Sequence, residues 1–260
     1  MPEQKKELIC VSFGTSYPEA LESIDKTEEA LRAAAPGYAF RRAFTSGMIR
    51  RKWEARGVSV PGVGEALRAA AQEGVREVIL QPTHVIPGIE YDRLCAEAEP
   101  FKGSFSSLRV GRPLVTNAEE QTALLTAMLE EYPPAGDTAL LFMGHGTEHT
   151  ANFIYASMQT ALRYMNRDDA FIAAVEGWPT IEDALPLLHR YGAHRVKTIP
   201  LMLVAGDHAR NDMAGRWKSI LEREGFETEC VIKGIGMVPS VRALYAEHLR
   251  GLISGEGNGI

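Results

Sequence analysis

The sequence predicts an α/β protein made of two similar, doubly wound parallel-sheet domains. Short apolar runs alternate with helical stretches from one end of the chain to the other. A Pro133-Pro134-Ala135-Gly136 break divides the 260 residues near their middle. The halves on either side repeat one another. Phe13-Gly14-Thr15 meets His145-Gly146-Thr147 at an offset of 132. Glu65-Ala66-Leu67 meets Asp183-Ala184-Leu185 at an offset of 118, and in that register Gly74 meets Gly192, Val78 meets Val196, Pro82 meets Pro200 and Gly88 meets Gly206. The alternative to an internal duplication is chance agreement between two helix-bearing halves.

Taken in order, Leu8–Phe13 reads as the first strand and Gly14-Thr15-Ser16 as a loop. Helical periodicity over Tyr17–Ala35 ends at Pro36-Gly37. Tyr38–Phe44 is the second strand, Gly47–Arg56 a short basic helix, and Gly64–Glu73 a helix closed by Gly74. Arg76–Gln81 is the third strand, followed by a loop to Glu90 and a helix to about Glu99. Leu108–Arg112 is the fourth strand and Ala118–Glu131 a helix. Past the break, strands at 139–143, 170–175, 195–200 and 228–232 alternate with helices. Such alternation produces parallel sheets with helices on both faces. The expected domains are 1–134 and 135–238, with a final helix at 239–253 that can fold back on the first and a frayed tail at 255–260.

Composition narrows the function. Apolar residues make up 45% and charged residues 24%, ordinary for a globular protein. A net charge of -6 argues against a nucleic-acid binder. No apolar run reaches the length of a membrane span. The N-terminal stretch lacks a secretory apolar region and cleavage site, so the expected location is the cytoplasm. Cys10, Cys95 and Cys230 are far apart and form no CxxC pair, which leaves no thiolate metal site.

The central chemical stretch is Leu140–Thr150. It runs as a buried strand into the turn Gly144-His145-Gly146-Thr147, with a helix expected over 148–165. His145 then stands at the carboxyl end of a strand, where open α/β sheets bind their ligands. It is a metal ligand, a proton acceptor, or a turn histidine held by hydrogen bonds. Comparing the halves sharpens the choice. His145 replaces Phe13, Glu176 replaces Thr45 if Val175 is matched with Phe44, and His208 replaces Glu90. The second half thus places two imidazoles and a carboxylate beyond three different strands, a donor set suited to cobalt, nickel, iron or zinc. Three protein ligands leave positions open for exchange. The competing reading is three unrelated polar loop residues. Asp207 is the expected orienting partner of an imidazole, while Asn211-Asp212 read as first-turn helix residues and His149 as a neighbouring or surface residue. His84 either faces the ligand or is satisfied within its loop. The Gly14-Thr15-Ser16 turn is a candidate anion site.

The fall in offset from 132 to 118 leaves about fourteen extra residues in the first half, near Gly47–Val60. They hold Arg50, Arg51, Lys52, Arg56 and Trp53, which is either an arm gripping a carboxylate-rich or phosphate-rich ligand or a solvated basic face.

The segments VSFGTSY, FTSGMIRRK, QPTHVIPGIEYD, MGHGTEHTANFIYASM, VEGWPT and PLMLVAGDHARNDM, in that order along almost the whole chain, resemble the anaerobic sirohydrochlorin cobaltochelatases of cobalamin biosynthesis. These are class II chelatases with a ferrochelatase-like fold. The resemblance implies two similar α/β domains with a tetrapyrrole cleft between them, and insertion of Co2+ into sirohydrochlorin without ATP or an organic cofactor. It assigns His145, Glu176 and His208 to the metal, and His145, His208 and Glu90 to catalysis. With the basic insertion, it assigns Arg50, Arg51, Lys52, Ser12, Thr15 and His84 to the substrate. Fe2+, Ni2+ or Zn2+ are further candidates for the metal site. Iron or nickel insertion and a non-catalytic cobalt or tetrapyrrole carrier are the alternatives. A tetrapyrrole and a divalent metal are the expected partners, with no nucleic acid or membrane, and homo-oligomerisation is open.

Overall fold

A computed structural model of the chain describes residues 5–255. All but the first residue of the expected tail lies outside that range. The strands are β1 (Lys6–Ser12), β2 (Ala39–Phe44), β3 (Glu77–Pro82), β4 (Ser107–Val110), β5 (Thr138–Gly144), β6 (Ala170–Ala174), β7 (Arg195–Pro200) and β8 (Glu227–Cys230). They form two four-stranded sheets of the same order, β2-β1-β3-β4 and β6-β5-β7-β8, with every pairing parallel. The helices are α1 (Leu21–Ala34), α2 (Gly47–Glu54), α3 (Val63–Gln72), α4 (Ile89–Ala98), α5 (Ala118–Glu131), α6 (Phe153–Tyr164), α7 (Ile181–Tyr191), α8 (Lys218–Arg223) and α9 (Pro239–Ser254). A wide π-type helix over His208–Trp217 leads directly into α8.

The chain falls into two compact units, one running to Thr116 and resuming at Arg242, the other spanning Asn117–Val241. The division lies one helix ahead of the Pro133-Pro134 break. Helix α5 groups with the second unit because it has partners there. It buries Leu124, Leu125 and Met128, and the Gln121 amide donates to the Ser157 carbonyl of α6. Helix α9 groups with the first unit. The buried Tyr245 hydroxyl donates to the Thr83 carbonyl at 2.7 Å, and Arg109 of β4 donates to the Leu252 carbonyl.

Hydrogen bonds make the duplication explicit. The Thr45 amide donates to Ser12 and the Val175 amide to Gly144, the Phe44 amide to Pro61 and the Ala174 amide to Pro179, the Thr83 amide to Val11 and the Leu201 amide to Met143. Glu65 accepts from the Gly62 amide at the start of α3 as Asp183 does from the Thr180 amide at the start of α7. This pairing corrects one alignment. Ser46 donates to the Phe13 carbonyl as Glu176 donates to the His145 carbonyl, so Ser46, not Thr45, is the counterpart of Glu176. Sequence matching missed this because the halves also differ in length between the first and second strands. Phe44 and Ala174 lie opposite Ser12 and Gly144, an offset of 130.

Each sheet buries an apolar layer. In the second unit, Ala139, Leu141 and Met143 of β5 meet Ile181, Ala184 and Leu188 of α7 and Met213 and Trp217 of the wide helix. In the first, Ile9 and Val11 of β1 meet Ala66, Leu67 and Ala70 of α3 and Leu94 of α4. All seven residues of β5 are buried, as expected of a central strand covered on both faces.

Candidate metal centre

The second unit builds its site on three adjacent strands. β5 is flanked by β6 and β7, and the chain leaves β5 toward one side and returns on the other. That is the switch point at which a doubly wound sheet opens a crevice at its carboxyl edge. His145 follows β5 directly, and Glu176 lies two residues past β6. His208 lies farther out than its sequence context suggests, at the start of the wide helix after the loop that follows β7.

The turn carrying His145 is held from several sides. Gly144 has no room for a side chain, since a Cβ there would come 2.1 Å from the Tyr155 ring. Tyr155 is buried, with its hydroxyl against the backbone amides of Gly146 and His145. Burial pushes its pKa up and those amides oppose the rise. Gly146 has φ +83, and a Cβ on it would lie 2.6 Å from the Glu176 carbonyl carbon, so the loops that carry His145 and Glu176 touch backbone to backbone. Asn152 fastens them together by accepting from the Thr147 amide at 3.1 Å and donating to the Trp178 carbonyl at 2.7 Å. His149 is part of this scaffold, because its Nδ1 accepts from the Ala151 amide. Tyr155 and Asn152 carry no sequence signal as site residues. A tyrosine on an apolar helical face reads as core, and an asparagine ahead of a helix reads as a cap.

The structure brings His145, Glu176 and His208 together, with one donor atom from each mutually within 4.8 Å. Glu176 Oε2 is 3.7 Å from His145 Nδ1 and its Oε1 is 3.9 Å from His208 Nε2. Two donors on one first-row ion with bonds of about 2.1 Å stand roughly 3–4 Å apart, a spacing that Glu176 Oε1 and His208 Nε2 already have. The imidazole rings meet edge to face, with centroids 4.6 Å apart. The side chains of His145, Glu176 and His208 are 44%, 57% and 26% exposed, so the cluster is open to an incoming ion.

Second contacts set the tautomers. His145 Nδ1 lies 2.9 Å from the Gly146 carbonyl, which can only accept. His208 Nδ1 lies 2.7 Å from Asp212 Oδ2. In the neutral rings both Nδ1 atoms then carry the proton and both Nε2 atoms keep a lone pair. The orienting carboxylate is Asp212 and not Asp207, whose Oδ1 instead accepts from Asn211. The helix begins at His208 itself, so the residue four ahead, not the one behind, faces the ring.

In the first unit the candidates are spread over separate contacts. Ser12 is buried, and its hydroxyl receives the Thr83 hydroxyl at 2.8 Å. Thr15 is buried, its hydroxyl accepting from the Tyr17 amide and its carbonyl from the Trp53 indole at 2.6 Å. Trp53 is therefore a strut between α2 and the first turn, reinforced by Arg56, which donates to the Ser16 carbonyl. Arg50 pairs with Glu65 at 2.8 Å and lies over Gly62, which commits it to holding α2 against α3. Arg51 and Lys52 stay exposed. Glu90 Oε1 accepts from Arg93 at 2.5 Å. His84 has both ring nitrogens buried with no hydrogen-bond partner among the described residues. Burial pushes its pKa down to about 4, with the Glu90 carboxylate pulling the other way.

No helix among the described residues is long and apolar enough to cross a membrane. Comparison with known proteins agrees with this architecture. The family described as Cobalt chelatase (CbiK) matches residues 6–254. The chain is similar to the sirohydrochlorin cobaltochelatase of Salmonella typhimurium, with 37% identity over 94% of this chain and 95% of the relative. It is similar also to the sirohydrochlorin cobaltochelatase CbiKC of Nitratidesulfovibrio vulgaris, with 31% identity over 98% and 93%. Among solved structures, SirB from Bacillus subtilis with Fe3+ superposes with a TM-score of 0.67 over 95% of each chain at 14% identity. The sirohydrochlorin chelatase SirB of Bacillus subtilis subspecies spizizenii in complex with cobalt gives 0.67 over 97% of each chain at 13%. At those identities the likeness is one of fold.

Proposed function

The chain belongs to the cobalt chelatase family, and from that premise we propose that it inserts Co2+ into sirohydrochlorin, with His145, Glu176 and His208 receiving the ion. The observation that supports this reading best is the solvent-accessible cluster of three donors, two of them imidazoles with Nδ1 already engaged. Two neutral nitrogens and one carboxylate hold a divalent first-row ion without enclosing it. Fe2+, Ni2+ and Zn2+ suit the same donors, so the preference for Co2+ rests on the family and not on the ligand set.

Metallation replaces two pyrrole N–H bonds by metal–nitrogen bonds and releases two protons. The histidines are not equivalent for that task. His208 is anchored by a carboxylate at 2.7 Å, whereas His145 is the more exposed and makes its close hydrogen bond to the carbonyl of its own neighbour. His145 is thus the imidazole better able to release the ion and take a pyrrole proton as general base, with His208 retaining the metal until transfer. Glu90 sits at the counterpart of His208 in the repeat and serves in proton release. Arg51 and Lys52 bind the carboxylates of the ring.

The test is to follow the visible spectrum of sirohydrochlorin with Co2+ and a catalytic amount of protein. Repeated turnovers identify an enzyme, and one stoichiometric shift would leave a carrier. The same assay with Fe2+ and Ni2+ ranks the metals.

A further inference from the structure

The peptide unit between His145 and Gly146 is gripped at both ends. Its carbonyl accepts from the Glu176 amide at 2.7 Å. Its N–H, that of Gly146, meets the hydroxyl of Tyr155, which also receives the His145 amide. The Gly146 carbonyl in turn faces His145 Nδ1 at 2.9 Å. Every backbone donor and acceptor of the two residues is thus engaged, and one buried phenol serves both donors. Gly146 sits at φ +83. A glycine imposes little steric preference on the peptide before it, so these bonds are what aim the imidazole.

The duplication sets Tyr155 apart. Arg42 lies opposite Cys10 as Ile172 lies opposite Phe142. Each is engaged from the preceding helix, Arg42 by Glu28 of α1 and the Ile172 amide by Gln159 of α6. Glu28 and Gln159 are therefore counterparts, and one helical turn earlier Ile24 stands where Tyr155 stands, both of them buried. On the strand, Ser12 stands where Gly144 stands. Space couples the two differences. A Cβ on Gly144 would come 2.1 Å from the Tyr155 ring, so the phenol fits only over a glycine, and the serine goes with the smaller isoleucine. The turn to which Ile24 offers no hydrogen bond carries Phe13, 42% exposed and no metal donor. The glycine and the tyrosine occur together in the unit whose turn carries an imidazole.

We propose that Tyr155 is a positioning residue for metal capture, its hydroxyl locking the His145–Gly146 peptide and so fixing the direction in which His145 presents its lone pair before an ion arrives. Without that oxygen the peptide can rotate about Gly146, two buried amides lose their acceptor, and the incoming ion must order the turn as it binds. The inference rests on the role proposed above for His145, Glu176 and His208.

Three measurements on metal-free protein test it. They are hydrogen exchange at the His145 and Gly146 amides, a Co2+ titration, and a titration with metal-free sirohydrochlorin read by ring absorbance. Tyr155→Phe keeps the aromatic ring over Gly144 and removes the oxygen. It should speed exchange at the two amides about tenfold, raise the Kd for Co2+ about tenfold and leave the Kd for sirohydrochlorin within about twofold. Gly144→Ser with Tyr155→Ile installs the pair that the first unit already packs, and should lose at least as much Co2+ affinity. Tyr164→Phe makes the same chemical change at an exposed position of α6 and should move none of the three values. Faster exchange with wild-type Co2+ affinity would overturn the proposal, because the hydroxyl would then serve packing alone. Equal losses for sirohydrochlorin and Co2+ would overturn it too, since they mark a general loosening. If the wild type binds Co2+ and metallates the ring while Tyr155→Phe binds Co2+ equally well, only this inference fails. If the wild type neither binds Co2+ nor metallates the ring, the functional reading fails and this inference with it.

Discussion

Asp212 Oδ2 stands 2.7 Å from His208 Nδ1, one helical turn along the same wide helix. The contact turns a flexible imidazole into a directed one. It holds the proton on Nδ1 and leaves Nε2, 3.9 Å from Glu176, as the only lone pair the neutral ring can offer.

Asp212→Ala should therefore weaken Co2+ binding by roughly 10–100-fold without touching a ligand. Asp212→Asn, which still presents an oxygen to Nδ1–H, should keep most of the affinity. The check is a Co2+ titration read in the visible absorption of the bound ion. Equal losses in both variants would mean that the negative charge, and not the orientation, is what His208 needs.

His145→Ala separates chemistry from folding. The side chain is nearly half exposed, and its one close hydrogen bond is to the adjacent carbonyl. Its removal should change stability by about 0.5 kcal/mol or less, as for other surface positions, while metallation falls to background. Thermal unfolding and the turnover assay on the same sample test both halves. Near-normal turnover would remove His145 from the roles of base and ligand.

Gly146→Ala should act from the backbone. The residue has φ +83, and an added Cβ would lie 2.6 Å from both the Glu176 carbonyl carbon and the Gly177 nitrogen. The contact is with backbone, so no side chain can swing away. The substitution should cost about 1–3 kcal/mol and push the Glu176 loop off His145, weakening Co2+ binding together with stability. Urea unfolding and the Co2+ titration should move in the same direction. A stable protein with normal metal affinity would show that the two loops can separate.

The sheets and the gathering of His145, Glu176 and His208 were legible in the sequence because both are written in patterns of long reach. Buried strands such as β5 are continuous apolar runs, and a histidine or glutamate that interrupts the repeat stands out against its partner. What was hidden depended on contacts with no local signature. The choice of Asp212 over Asp207 turns on where a helix starts, and helix ends are poorly marked. Trp53 and Arg50 look like ligand groups by residue type, yet Thr15 and Glu65 engage them, and only packing reveals that. Phe13 was visible as the counterpart of His145, but its exposure was not.

His84 should make stability depend on pH over a defined window. Part of the residue reaches solvent, but both ring nitrogens are sealed from it and unpartnered among the described residues. Burial is the larger cause of the pKa of about 4, against an ordinary value of 6.5, and Glu90 acts in the opposite sense. The sign follows from proton counting. Between those two values the unfolded chain binds the proton and the folded chain does not, so this contribution is complete above pH 6.5 and is lost as pH falls toward 4. By pH 5 the loss is on the order of 2 kcal/mol. His84→Met, which has no proton to take, should lack this part of the acid destabilisation. Reversible urea unfolding at pH 7 and pH 5 gives the comparison. Wild type should lose more stability than the variant between the two, and equal losses would show that the imidazole has reached water or found a partner.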